Sequence, residues 1–307
     1  MKPGRSAGAG SGKSRRKPAA PPRRPAERRP PATPAPKVLV ALSGPLHAEI
    51  VAVGRELLRG LTAESSAAFL SGWLSRRGAL VHRITIVDDR DRAITSAVTE
   101  AIERGARLVI TTGGLGPAAD DRTLGAVADA VRLPLAIHPH AKEMVESAYR
   151  RLERSRAVAK SGLTPAREKM CALPVGSEPI PNEAGIAPGV LVRRPGGVAV
   201  LCLPGVPEEA RSVFLAAMDR LRDMAPRGVA AEREVETPTA DESSLLALLD
   251  RLAEEFPLVW IQSHAPGFAR DDARVRVSLE AVAASKEEAE SLVEGALRRL
   301  LALAGGG

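Results

Sequence analysis

The sequence predicts an α/β protein with a mainly parallel sheet, followed by a small α+β unit. Three observations carry that prediction. Short apolar runs alternate with helical patterns from Ala48 to Leu221, and strands alternating with helices of about 10–15 residues mean βαβ units. Acidic residues recur just past the ends of those runs: Glu56, then Asp88 and Asp89, then Asp120 and Asp121. A second, shorter alternation begins after Pro226-Arg-Gly228, which reads as a hinge.

Taken in order, Ala48–Val53 is a strand ended by Gly54, and Glu64–Arg77 is a helix with Ala67, Phe69, Leu70, Trp73 and Leu74 turned inward. Leu80–Val87 is a strand, and Asp91–Arg104 is a helix with Ile94, Val98 and Ile102 on one face. Leu108–Ile110 is a short buried parallel strand, and a helical stripe of Leu124, Val127, Ala128 and Val131 follows it. His138–Arg156 is a long helix whose end carries Arg150, Arg151, Arg154 and Arg156, read as a solvated face. A shorter helix follows Pro165, then strands near Val190–Val192 and Val198–Leu203. Pro204-Gly-Val-Pro-Glu208 opens a helix with Val213, Phe214, Ala217 and Leu221 as its stripe. The last unit reads as strand Glu232–Glu236, helix Asp241–Glu255, strand Leu258–Gln262, polar loop Gly267–Asp272, strand Ala273–Ala281 and helix Lys286–Leu303. It shows no GxxG clamp, which counts against RNA binding.

Chemistry concentrates at Arg107–Arg122. The strand runs through Thr111 and Thr112 into Gly113, Gly114 and Gly116, then Asp120 and Asp121, then a helix start. Glycines let backbone N–H groups approach an anion, and a helix N-terminus adds roughly half a positive charge. The plain alternative is an ordinary turn with one aspartate as N-cap. Two adjacent carboxylates exceed what a cap needs, and such a pair suits a divalent metal held against phosphate. In parallel sheets, ligands bind outside the C-terminal strand ends, where these acidic stretches converge.

Composition bounds the rest. With 307 residues, 44% hydrophobic and 26% charged, the chain has an ordinary soluble composition and length for about two domains. Aromatic content of 2% leaves the cores to Ala, Val, Leu and Ile and argues against base stacking. Cys171 and Cys202 form neither a disulfide framework nor a metal spacing and read as small core residues. No apolar run approaches the roughly 18 residues that span a membrane, and no apolar N-terminal segment suggests secretion, so a cytoplasmic protein is expected. The formal charge of +7 is uneven. Residues 1–37 carry eleven Lys and Arg against Glu27, a net +10, so the remainder is −3. Residues 1–45 are basic, rich in Pro, Ala and Arg, and without periodicity, so they are expected to be disordered. They read either as a nonspecific arm for nucleic acid or as a solvated tail.

Four motifs then carry a resemblance. Ala48–Gly60, Thr112–Pro117 with Asp120-Asp121, Asn182 with Gly185 and Ala187-Pro-Gly189, and Leu203–Glu208 resemble the MoaB/Mog molybdopterin-binding domain, most of all its branch in competence/damage-inducible CinA proteins. The resemblance covers about residues 47–226, and the last unit resembles the small KH-like domain that follows in that branch. The amidase domain of longer relatives is not expected after it. The implied organisation is a tail over 1–45, a three-layer MoaB/Mog-like domain over 46–227 and a KH-like domain over 228–307. The implied activity is metal-dependent hydrolysis of a pyrophosphate such as ADP-ribose or FAD. The alternative is a pterin- or nucleotide-binding protein without turnover, linked to molybdenum cofactor metabolism.

By position, Gly113, Gly114 and Gly116 would cradle phosphate. Asn182, Gly185, Pro188, Pro204, Gly205 and Pro207 would line the ligand. Asp120, Asp121 and Glu56 would be catalytic, and Asp89, Asp120 and Asp121 would hold a divalent metal of the Mg or Co type. Molybdopterin is a second candidate ligand. The expected partners are a small pterin or dinucleotide and further copies of the chain, with nucleic acid only through the tail and no membrane. Four positions depart from the family pattern: Ala118 stands where threonine is usual, Glu64-Ser65-Ser66 replaces an Asn-Thr-Asn type pattern, Ile186 replaces threonine, and Arg90 follows Asp88-Asp89 where Gly-Asp-Asn is typical.

Overall fold

The computed structural model describes residues 46–265 and 274–304. The expectations for the basic tail and for the Gly267–Asp272 loop lie outside them. Six strands form the central sheet: β1 His47–Val53, β2 Leu80–Val87, β3 Leu108–Thr112, β6 Glu178–Ile180, β7 Gly189–Arg194 and β8 Val198–Leu203. Their order is β2-β1-β3-β8-β7-β6. The first four are parallel; β7 pairs antiparallel with β8, and β6 pairs antiparallel with β7 at the edge. Val51, Val53, Val109, Val200 and Cys202 point to one face, and Ala48, Ile50, Leu108, Ile110 and Leu201 to the other. This two-residue alternation buries both faces, which is why these strands read as continuous apolar runs.

Helices α3 (Asp91–Glu103), α4 (Thr123–Val131) and α5 (Pro139–Arg154) cover the first face, and α2 (Ser66–Ser75) and α7 (Pro207–Arg220) the second. The result is three layers. Phe214 is fully buried, with Phe69 and Trp73 set edge-on against it at 6.2 and 5.0 Å. Those two stay half-buried, because the Arg77 and Arg211 guanidinium groups lie over their outer surfaces. A one-turn helix, α1 (Arg55–Leu58), follows β1 directly. Short α6 (Pro165–Lys169) and the antiparallel pair β4 (Leu135–Ile137) and β5 (Ala172–Pro174) lie between α4 and β6.

The last unit has its own three-stranded antiparallel sheet, ordered β10 (Val259–His264), β11 (Arg276–Ala283), β9 (Val229–Glu236). Helices α8 (Leu246–Glu255) and α9 (Lys286–Ala304) pack on one face of it. Leu252, Val277, Leu279, Ala289, Val293 and Leu300 form a core separate from the two beside the large sheet. The helix expected over Asp241–Glu255 begins as a 3₁₀ turn at Glu242–Leu245, because Asp241 accepts from Ser243 N at 2.9 Å and tightens the start. The segment expected as a hinge is tied down at Gly228, whose N–H donates to Arg77 O at 2.8 Å and whose Cα abuts Val282.

Glu255 braces the two small-unit helices. It accepts from Arg299 Nε at 2.6 Å and from Arg251 Nε at 2.9 Å. Those hydrogen bonds, Arg299's first, hold its carboxyl down to about 2 from an ordinary 4.5. A depressed carboxylate stabilises the fold above its unfolded value and loses that contribution as pH falls toward the folded one. Glu255→Gln is therefore expected to lower the melting temperature at pH 7 by a small amount, since the pair is solvent-exposed. The gap to wild type should close between about pH 4.5 and 2. A gap independent of pH would remove this role.

Candidate functional site

The parallel strands β1, β3 and β8 all end at one side of the sheet, and a cavity of about 540 Å³ opens there. Its floor comes from Val53, Thr112–Gly114 and Pro204-Gly205. Two glycines make that floor possible. Gly113 has φ +93, and a Cβ there would lie on the Val53 carbonyl oxygen; Gly114 has φ +69, and a Cβ there would lie on Thr123 Oγ1. The buried Thr123 hydroxyl donates to Gly113 O at 2.7 Å, and Gly113 N donates to Leu203 O at 3.0 Å. The two glycine-bearing loops touch, since a Cβ on Gly205 would sit 3.3 Å from Gly113 Cα.

The starts of three helices face this cavity. Ser65 caps α2, Val206 caps α7, and Asp121 immediately precedes α4's cap, Arg122; Ser65, Val206 and Asp121 all line the cavity. None of the three caps makes a side-chain capping bond; Thr123 N of α4 is taken by Gly114 O and α7 opens on Pro207, which has no N–H, so only the later first-turn N–H groups of these helices remain for a ligand. For α2, Glu64 supplies one missing acceptor, taking Ala67 N at 2.7 Å.

Against this positive backbone stands a wall of carboxylates. Glu56, Glu64, Asp89, Asp120, Asp121 and Glu209 line the cavity, while no Lys, Arg or His among the described residues does. Cations on residues next to the lining are already engaged, Arg122 with Asp91 at 2.9 Å among them. Arg55 donates to Asp88 at 2.9 Å, which depresses that carboxyl and raises Arg55, helped by Asp88, Asp89 and Asp120 charges. Lys169 Nζ donates to Ala118 O.

Of the residues expected from the sequence, Glu56, Asp89, Asp120, Asp121, Gly113, Gly114, Gly116, Pro204, Gly205 and Pro207 all line this cavity. Three do not. Asn182 and Pro188 line a smaller neighbouring cavity of about 190 Å³, and Gly185 lines neither. Asn182 is a brace instead: its Nδ2 donates to Ala187 O at 2.8 Å and to Glu209 Oε2 at 2.7 Å. Gly185 lets the Glu209 carboxylate lie against its backbone. Neither aspartate of the pair caps α4, because Asp121 Oδ2 accepts from Ala118 N at 2.8 Å and closes the loop. Nor do Asp89, Asp120 and Asp121 form one preformed ligand group: no cluster of three or more His, Cys, Asp or Glu placed to hold a metal occurs among the described residues. Asp89 Oδ2 is taken up by Arg55 N at 3.1 Å. A metal here therefore lacks a closed protein cage and would complete its shell with ligand phosphate and water, the usual pattern for magnesium.

Sequence reasoning missed Glu209, Tyr149 and Met170, which reach the cavity from α7, α5 and the end of α6. Only the Pro204–Glu208 motif pointed near any of them. Ile186 lines both cavities.

The family described as "Probable molybdopterin binding domain" matches residues 49–223. An Aeropyrum pernix protein is 40% identical over 255 residues, covering 83% of this chain and 92% of its own length. A Pyrobaculum aerophilum protein is 38% identical with the same coverage. The crystal structure of CinA from Thermoplasma acidophilum, itself described as of unknown function, is 35% identical with a TM-score of 0.51. That match covers 58% of this chain and 99% of that one. Among the described residues no helix is long and apolar enough to cross a membrane.

Proposed function

Since the chain belongs to the MoaB/Mog-type molybdopterin-binding domain family, we propose that its cavity binds a phosphate-bearing nucleotide together with a divalent metal and hydrolyses a pyrophosphate bond, as in ADP-ribose or FAD. The carrying observation is the pairing of three helix starts with six carboxylates and, among the described residues, no lining cation. Magnitudes decide what that pairing binds. A phosphate oxygen about 4 Å from one carboxylate is repelled by roughly 4 kcal/mol at an effective dielectric of about 20. A helix N-terminus returns about 0.3–1 kcal/mol, and up to ~2 in favourable geometry. The backbone alone loses that contest, so the anion needs a counter-ion of high charge.

Asp120 would be the first residue to hold that ion, helped by Asp89 and the remaining Asp121 oxygen. Bound there, the metal supplies positive charge and Lewis acidity to a phosphoryl oxygen. The chain does the rest. Backbone N–H groups of the Gly114–Gly116 stretch orient the phosphates, Gly113 N being bonded to Leu203 O. Glu56 accepts the proton of the attacking water as its oxygen bonds to phosphorus. The bridging P–O bond breaks, and ADP-ribose gives AMP and a ribose monophosphate.

One observation favours a second reading, binding without turnover: Asp121 is committed to Ala118 N, and no three-carboxylate group is preformed among the described residues. Release of AMP from ADP-ribose or FAD, with and without metal, separates the two. Turnover supports the hydrolase; tight binding with no product supports the binder. Ala118→Thr is expected to raise affinity or rate about five- to a hundredfold, because a hydroxyl donor to a charged oxygen contributes roughly 1–3 kcal/mol. An unchanged value would place residue 118 outside ligand reach.

A further inference from the structure

Charge is divided along the chain more sharply than its total shows. Residues 228–307 hold eight Lys and Arg against fifteen Asp and Glu, a net −7. Residues 38–227 hold 25 against 21, a net +4. The small unit is therefore the one part of the protein whose charge opposes the +10 of residues 1–37. It repels a polyanion such as RNA and attracts a polycation. Helices α8 and α9 cover one face of its sheet, where Val259, Leu279 and Ala231 point. Alternation puts Trp260, Glu280 and Glu232 on the other face. The register sets these three side by side across β10, β11 and β9. Trp260 is 44% exposed, and Glu232 is exposed. Like charges directly opposite on neighbouring strands are unfavourable. Burial, and then the Glu232 charge, push the Glu280 carboxyl above its ordinary value, with Arg76 acting the other way. One row on, Glu234 has its own cation, Arg276 at 2.7 Å. The Trp260–Glu280–Glu232 row contains none. An indole face beside two carboxylates suits a guanidinium, which stacks on the ring and forks to the oxygens.

The described chain begins beside this unit. Leu46 O accepts from Leu80 N at 2.9 Å, three residues past Arg77. Arg77 O accepts from Gly228 N at 2.8 Å, and Gly228 leads into β9. This is the end of the large sheet where β1 and β2 start, and the carboxylate-lined cavity lies at the other end of the strands. From Arg29 to Leu46 is 17 positions, which reach about 50 Å at the roughly 3.1 Å per residue of a Pro-rich stretch. The eight residues of β9 span only about 26 Å. Arg23, Arg24, Arg28 and Arg29 therefore all come within reach of that face.

We propose that the open face of the small unit's sheet, at Trp260, Glu280 and Glu232, is the docking surface for this chain's own segment Arg23–Arg29. The arginines stack on Trp260 and pair with the two carboxylates. The tail is then an intramolecular ligand, and its cations are withheld from nucleic acid. A covalent tether makes such docking effective even where each contact is weak. Exposed ion pairs are screened, so low ionic strength holds the tail and high salt releases it.

The test is calorimetric titration of the full chain, at low salt, with a synthetic peptide of residues 13–37. A full-length variant with Arg23, Arg24, Arg28 and Arg29 each changed to Ser should bind the peptide at least about tenfold more tightly than wild type, whose own tail holds the face. In that variant, Trp260→Ala should weaken the peptide by about fivefold. Glu232→Gln with Glu280→Gln should do the same. The glutamine pair removes a like-charge repulsion, so its melting temperature should not fall and its binding loss is not a folding loss. Equal binding to wild type and the serine variant would show that the tail does not occupy the face, and overturns the proposal. Binding that no face substitution weakens overturns it, as does absence of binding to the serine variant. Displacement of the peptide by ADP-ribose with magnesium would give the tail to the cavity instead. A wild-type mass that doubles with concentration, and does not in the serine variant, would give the face to a second copy's tail. Either result overturns intramolecular docking at this face.

Discussion

Asp120→Asn is expected to cut metal-dependent release of AMP from ADP-ribose by at least about a hundredfold, with the fold intact. Losing a metal ligand or the group that orients it typically costs about 10–100-fold in affinity or activity, and more where one group serves both binding and rate. Asp120 is exposed at the cavity mouth and makes no hydrogen bond that builds the loop, whereas Asp121 closes the turn through Ala118 N. The substitution Asp121→Asn would therefore confuse chemistry with loop geometry, and Asp120→Asn would not. The sign of the effect should reverse without metal. Removing one of six lining carboxylates lowers the repulsion on a bare anion, so pyrophosphate should bind the variant more tightly than wild type in chelator. Titrations with magnesium and with chelator read both signs. A variant weakened equally under both conditions would mean that Asp120 acts on structure and not on charge.

Gly113→Ala should damage fold and function together. An L-residue in the left-handed region costs roughly 1–2 kcal/mol, and the new Cβ would lie on the Val53 carbonyl oxygen. Overpacking of that kind typically adds about 1–3 kcal/mol. The sum corresponds to a melting temperature lower by roughly 5–15 °C for a domain of this size. Relief requires β1 and β3 to part at their ends, beside the bond that Gly113 N donates to Leu203 O, so phosphate binding should vanish even where the variant remains folded. Thermal melting and pyrophosphate titration check the two halves. A stable variant that still binds would show that the loop does not need this backbone conformation.

The central parallel strands and their helices were legible because they are continuous apolar runs or clean stripes, and even β2, interrupted by His82 and Arg83, begins and ends at the residues expected, Leu80 and Val87. What was not legible was short or interrupted by proline. β5 and β6 have three residues each, and Pro174 and Pro179 sit inside them. Proline argues against a strand in sequence, yet an edge strand tolerates it where no ladder donor is needed. At the site, the glycine loop and the acidic strand ends were visible, since turn chemistry is local. Glu209, Tyr149 and Met170 were not marked, because their role depends on which helices the sheet brings side by side. The reassignment of Asn182 from ligand contact to brace has the same origin: Glu209, its partner, lies 27 residues away. Above all, the charge of the cavity could not be read from a chain with 44 Lys and Arg. Only the fold shows that none of those described enters its lining.

The central claim is that the cavity binds phosphate only together with a divalent cation, which Asp89, Asp120 and Asp121 would hold. The most direct measurement is calorimetric titration of the full chain with ADP-ribose in magnesium and in chelator. Binding that appears with magnesium and falls by at least about a hundredfold in chelator is the expected result. Equal affinity under both conditions would contradict it, because six carboxylates would then be accommodating a bare pyrophosphate with no cation among them.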